Sequence, residues 1–295
     1  MLDPHLLARL GSLDVIARTI VDGTMVGMHA SRSRGIGTEF SQYRQYIAGD
    51  DLRALDWRVY GRTDRYYVRL FSAETNLEAT LIVDASASMR FTSIEISKFH
   101  VARMLAAALA YLLVGQSDRV SLVPVAGSGR TERISAGSGD RHLRAILLGL
   151  ERLVADGDAS LVAALDGLIE RLRRRGPVFV FSDAYEPAKA LVDAIGRLAR
   201  AGFDVTLLHI LDPVERSLEI GGDTEFVGLE GDGRLTADPR RVGRAYRERL
   251  DAHIAELSTG CARCGALFIP VTTSEPLDRP LAAALRARRL LGGRL

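Results

Sequence analysis

A short run, LIVDASASM from Leu81 to Met89, sets three side-chain oxygens on alternate residues directly after an apolar stretch. Asp84, Ser86 and Ser88 offer one carboxylate and two hydroxyls, the hard oxygen donors that suit Mg²⁺, which keeps several of its waters. A second carboxylate, Asp183, ends the apolar run VFVFSD in the same way. In open α/β sheets the carboxyl ends of parallel strands face the ligand crevice, so two strands would deliver both carboxylates to one rim. Asp and Ser also follow strands for local reasons, as turn formers and helix caps. The same chemistry at two strand ends favours a site.

From about residue 79 onward, short β-branched runs alternate with longer stretches of helical period, the pattern of a mainly parallel sheet with helices on both faces. Strands are expected at Ala79 to Asp84, Arg119 to Ala126, Pro177 to Ser182, Phe203 to Ile210 and Ala266 to Thr272. Helices are expected at Ser97 to Gly115, Arg141 to Leu153, Leu161 to Arg174, Pro187 to Ala201, Pro239 to Leu257 and Pro280 to Leu290. The Arg171, Arg173, Arg174 and Arg175 run would close the third of these as a solvated helix end, where cations complement the dipole. AGSGRTERISAGSG reads as a turn, a short edge strand and a loop, and the insertion from Asp212 to about Asp238 as a hairpin.

Residues 1–78 differ in texture and form an N-terminal accessory segment, with residues 79–295 as the α/β domain. The segment opens with an expected helix from Pro4 to Asp22 and continues into a polar stretch from Gly35 to Glu74. The end of that stretch alternates Tyr66, Val68 and Leu70 with Tyr67, Arg69 and Phe71, as a half-exposed strand does, so the segment is expected to be a β-rich layer.

Composition narrows the function. The 295 residues carry 39 Lys and Arg against 37 Asp and Glu, a formal charge of +2, so no global field draws the chain to nucleic acid. Lys98 and Lys189 are its lysines; the remaining positive charge is guanidinium, which pairs with carboxylates in a forked geometry. Cys261 and Cys264 make no disulfide framework, and the start MLDPHLLARLGSLD lacks the pattern of a signal peptide. The longest apolar run, Met104 to Val114, is short for a bilayer span and reads as a buried helix. A cytoplasmic protein without an integral membrane segment is the expectation.

Asp-x-Ser-x-Ser after the first strand, with an Asp at a later strand end, resembles the metal-ion-dependent adhesion site of von Willebrand factor A domains. The resemblance implies that Ser86 and Ser88 ligate Mg²⁺ (or Mn²⁺ or Ca²⁺), that Asp84 and Asp183 act largely through water, and that an acidic residue of a partner completes the coordination. The family also uses a Thr from a middle loop. Here that loop is DGDASLVAAL, with Ala159 at the Thr position, and Ser160 can serve only if the loop shifts by one residue. Weak metal binding follows from that departure.

GTEFSQYRQYIAGDDLRALDWRVYGRTDRYYVRLFSAE, from Gly37 to Glu74, is similar to the hallmark of the bacterial domain-of-unknown-function 58 family, and HILDPVE and AYRERLDAH extend the similarity downstream. Members are often encoded beside MoxR-type AAA+ ATPases, which implies an adaptor role with such an ATPase as partner. Many carry N-terminal membrane segments. In this series Arg44, Asp50, Asp51, Arg53, Asp56 and Arg62 alternate in sign, as a network of paired side chains does, and Trp57 fits either an interface anchor or a buried aromatic joining two layers.

The expected function is therefore non-catalytic protein binding through a divalent-metal site. The alternatives are a metal-dependent hydrolase using Asp84 and Asp183, and a metal-independent scaffold. The chain has no Walker lysine loop, nucleophile elbow or HExxH motif, and GIG at Gly35 to Gly37 follows no strand pattern. His100 and His209 read as core residues, and His142 and His253 as surface helix positions. Cys261 and Cys264 form a lone CxxC, read as two reduced cysteines in a loop.

Overall fold

The computed structural model describes residues 3–29, 39–45, 55–72, 77–127, 132–172, 174–222, 224–231 and 233–291. The chain starts with two helices, α1 (Pro4–Ala8) and α2 (Leu13–His29), where one was expected. Gly11 separates them at φ 82°, a backbone angle open to glycine and strained for other residues. Strands β1 (Glu39–Gln45) and β2 (Tyr67–Ser72) then pair antiparallel as a separate two-stranded sheet, with Arg44 opposite Val68. Between them lies α3 (Trp57–Thr63).

The main sheet contains β3 (Glu78–Asp84), β4 (Arg119–Val125), β5 (Ile134–Gly137), β6 (Pro177–Ser182), β7 (Asp204–Leu211) and, near the C-terminus, Leu267–Thr272. Its helical connections are α4 (Lys98–Gly115), α5 (Asp140–Arg152), α6 (Leu161–Ile169) and α7 (Ala188–Arg200). After β7 come α8 (Pro213–Ser217), a hairpin of β8 (Thr224–Val227) and β9 (Arg234–Ala237), α9 (Pro239–Arg263), β10 (Leu267–Thr272) and α10 (Asp278–Leu291). The order across the sheet is β10-β7-β6-β3-β4-β5. All neighbours are parallel except the short edge strand β5. The fold is thus the expected α/β arrangement, a mainly parallel sheet with helices on both faces, and β1 and β2 form a small separate β layer.

Alternation along the strands sends side chains to two faces. Leu81 and Val83 of β3 and Phe179 and Phe181 of β6 enter one core with α2, α4, α5 and α10. Ile82, Val178, Val180 and Leu207 enter the other with α6, α7 and α9. Each such side chain contributes roughly 1.5–3 kcal/mol by leaving water. Helix α4 is buried almost all round because α2 covers the side that the sheet leaves open, which is why its sequence is continuously apolar. By length and composition it could cross a membrane, yet 78% of it is buried inside the fold. Leu13, Ile16, Ala17 and Ile20 of α2 belong to this same core, so the core runs across residue 78.

Two other helices differ from expectation. Helix α6 stops at Ile169, and the arginine run follows it rather than ending it. Helix α9 continues past Leu257 to Arg263, which places Cys261 in its last turn and Cys264 at its C-cap instead of in a loop. Gly260 lies inside this helix. It serves packing: a Cβ there would sit 2.5 Å from the Val192 side chain of α7, so the two helices meet across it. Both cysteines are free, and burial, followed by the Cys264 neighbour, pushes the Cys261 thiol up to about 12.

Candidate functional site

Strands β3 and β6 are adjacent and parallel, with Val83 opposite Phe181, so their next residues emerge side by side at the C-terminal rim. Asp84 is 4% exposed there, and each carboxylate oxygen accepts one hydrogen bond from a neutral donor. The Ser182 hydroxyl donates to one oxygen at 2.5 Å and the Ser86 backbone N–H to the other at 2.9 Å. Ser86 and Ser88 place their hydroxyl oxygens 3.0 Å apart beside it. Burial, and then the Asp183 charge, push the Asp84 carboxyl up to about 6 against the pull of those hydrogen bonds.

Asp183 has a different partner. Its carboxylate accepts from the Lys98 ammonium at 2.8 Å, and Lys98 also donates to Glu215 at 2.6 Å. Lys98 is only 1% exposed. Burial opposes its charge, but Asp183 and Glu215 outweigh that and hold the ammonium above its usual range. Burial pushes Glu215 up, partly offset by Lys98. Lys98, one of the two lysines and given no role from the sequence, is an internal counter-ion.

The HILDPVE segment supplies much of the support. His209 is buried, and burial pushes its imidazole down to about 4, so it is neutral and donates from Nε2 to the Asp183 carbonyl at 2.8 Å. Asp212 caps α8, accepts from the Ser93 backbone at 2.8 Å and bonds the Ser93 hydroxyl, while Glu215 closes the capping box. His253, expected on the surface, is half-buried and donates to the Ala184 carbonyl at 2.9 Å. His142 is likewise half-buried, with Nε2 2.7 Å from the Val120 carbonyl. Ala184 itself sits at φ 52°, and the Ser182 hydroxyl accepts from its N–H. The strained turn after β6 is thus held from three sides.

Backbone bonds fix the middle loop. Asp156 N–H donates to the Ala85 carbonyl and Ala87 N–H to the Gly157 carbonyl, both at 2.9 Å. In this register Ala159 lines the site with no side-chain oxygen, and the Ser160 hydroxyl caps α6 by accepting from the Ala163 N–H at 3.1 Å. A carboxylate absent from the sequence-based candidates enters instead. Glu230, from the tip of the β8–β9 hairpin, accepts from the Ser88 backbone N–H at 3.2 Å. Together with Asp84, Ser86, Ser88, Ala159 and Ser160 it lines a cavity of about 170 Å³.

The donor set is all oxygen and suits a hard divalent cation such as Mg²⁺: Asp84, Ser86 and Ser88 would hold it, with Asp183 behind them. Asp84 is buried, charged and paired only with neutral donors, an arrangement a cation relieves. Among the described residues no cluster of three His, Cys, Asp or Glu forms a metal site, so such an ion depends on the hydroxyls.

The N-terminal candidates lie elsewhere. Asp50, Asp51 and Arg53 fall outside the described residues. Arg44 is in β1 and Trp57 opens α3. Asp56 is buried and accepts from the Val59 N–H at 3.3 Å, capping α3. Arg62 is exposed in the last turn of that helix, so it is no part of a buried charge pair.

Among curated proteins the chain is similar to uncharacterised proteins of Mycobacterium tuberculosis and Mycobacterium bovis, 29% identical over 292 residues, covering 97% of this chain and 91% of each relative. Among solved structures it resembles BatB from Bacteroides thetaiotaomicron (15% identity, TM-score 0.49, 72% of this chain and 99% of that one). It also resembles the SpRpn10 VWA domain (14% identity, TM-score 0.42, 71% and 94%). An aerotolerance-related membrane protein from Bacteroides fragilis is a third (17% identity, TM-score 0.47, 72% and 99%). That protein and a membrane spanning protein from Vibrio fischeri (14% identity, TM-score 0.24, 72% of this chain and 96% of that one) are described as membrane proteins, and the cytoplasmic expectation is corrected accordingly: the fold does not place the chain in the cytoplasm. The model of the family described as protein of unknown function DUF58 matches residues 42–258, and the chain belongs to that family.

Proposed function

We propose that the chain is a non-catalytic binding protein whose rim at Asp84, Ser86 and Ser88 holds a divalent cation, preferably Mg²⁺, and docks an acidic group of a partner protein. The observation that carries this reading is the contrast within the rim. Asp183 is neutralised from inside by Lys98, whereas Asp84 and the two hydroxyls face the cavity with only neutral partners. A cation held by one carboxylate and two neutral hydroxyls retains positive character and accepts a further anionic ligand.

Catalysis needs a base or nucleophile that reaches the substrate. The lysine and the histidines bonded to the rim are already engaged: Lys98 by two carboxylates, His209 by the Asp183 carbonyl and His253 by the Ala184 carbonyl. A MoxR-type AAA+ ATPase is the partner we propose, in line with the family resemblance. The test is binding of the purified host ATPase by wild type and Asp84→Ala, with and without EDTA, alongside circular dichroism. Binding should disappear with EDTA and in the folded variant. Full-strength binding by folded Asp84→Ala would remove this rim as the docking site.

A further inference from the structure

We propose that Glu230 is a built-in acidic ligand of the rim, completing the cation's coordination from within the chain in place of the missing middle-loop hydroxyl. The inference rests on the binding reading above and adds to it a residue and a form of regulation. Three observations converge on Glu230. Its carboxylate already reaches the Ser88 N–H at 3.2 Å, across 142 residues of sequence, and lines the same cavity as Asp84, Ser86 and Ser88. The loop expected to supply the remaining ligand offers none, because Ala159 has no oxygen and the Ser160 hydroxyl is spent on the α6 N-terminus. Finally, the hairpin that carries Glu230 is thinly attached: its other described side-chain bonds, Arg234 to Glu225 and Thr224 to Gly222, remain local.

A carboxylate on a separate two-stranded arm can be lifted away without disturbing the main sheet. While seated, its negative charge stands in the same cavity and opposes an incoming acidic group, so docking requires the hairpin to leave. The arm also exposes Val227, Leu229 and Leu235, at 51%, 40% and 66%, and Tyr185 at 74% stands on the rim beside the cavity. These apolar groups would meet the same partner that displaces Glu230, because contact with them is gained only when that partner arrives. The hairpin is then a cover whose seating depends on the cation.

Glu230→Gln separates an anionic ligand from a structural contact, since the amide oxygen still accepts from the Ser88 N–H but carries no charge. Mn²⁺ titration calorimetry of wild type, Glu230→Gln and Asp84→Ala should give binding in wild type, roughly tenfold weaker binding in Glu230→Gln and none in Asp84→Ala. Amide hydrogen exchange read at residues 228–233 should slow with Mn²⁺ in wild type and stay unchanged in Glu230→Gln. If Glu230→Gln binds Mn²⁺ as tightly as wild type while Asp84→Ala loses it, the rim reading stands and the role of Glu230 is overturned. Hairpin exchange that ignores Mn²⁺ in a wild-type protein that binds it overturns that role as well. If wild type binds no Mn²⁺, both fall.

Discussion

The two carboxylates of the rim sit on neighbouring strands at similar depth, each 4% exposed, and differ in what neutralises them. Asp183 is tied to an ammonium that the chain buries for that purpose, and the ammonium is shared with Glu215. Asp84 is tied to a hydroxyl and a backbone N–H, and burial raises its pKa to about 6. One half of the rim is thus complete within the fold. The other half is left with a charge that an external cation would balance, and under the proposed function this difference gives Asp183 a structural part and Asp84 the binding one.

The largest expected effect comes from breaking the completed half. Lys98→Met leaves Asp183 and Glu215 buried without their counter-ion and should cost about 3–5 kcal/mol in urea unfolding, as loss of one partner of a buried pair does. A variant as stable as wild type would mean that Lys98 is not their essential counter-ion. On the other half the sign reverses. The Asp84 pKa is raised in the folded state, so the native chain binds more protons than the unfolded one between about pH 4 and 6, and the Asp84 contribution to stability falls as pH rises through that window. In metal-free protein, Asp84→Asn should therefore be more stable than wild type at pH 7, by about 3 kcal/mol. The advantage should shrink towards zero near pH 4, which urea melts at several pH values can follow.

Ser182→Ala sharpens the comparison with a smaller effect. It removes the hydroxyl that donates to Asp84 and accepts from the Ala184 N–H, and should cost about 1–2 kcal/mol while raising the Asp84 pKa further, measurable by carboxyl NMR titration. The smallest effect is expected at Arg62→Ala. Its side chain is exposed, and the change should stay within about 0.5 kcal/mol in a thermal melt.

Strands and most helices were legible because their signals are local. An apolar run at strand period and the Ser97 cap before the long apolar helix both lie in contiguous residues. Asp84, Ser86, Ser88 and Asp183 were legible for the same reason, each standing where a strand ends. Lys98 and Glu230 were not, because their roles arise from contacts made 117 and 142 residues away in sequence. A lone lysine before an apolar helix and one acid in a Gly-rich insertion carry no local mark of such partners. The HILDPVE segment lies between these cases: it could be recognised as a motif, while its roles as counter-ion clamp and cap required the fold. The Ser160 hydroxyl illustrates the converse, since a plausible ligand by position is consumed by the helix that follows it.

The unbalanced charge of Asp84 is tested most directly by the Mg²⁺ response of the melting temperature in wild type and Asp84→Asn at pH 7. The account predicts that Mg²⁺ raises the wild-type melting temperature, whereas metal-free Asp84→Asn already melts higher and gains nothing from the ion. Equal Mg²⁺ stabilisation of both proteins, or an Asp84→Asn protein that melts below metal-free wild type, would contradict it.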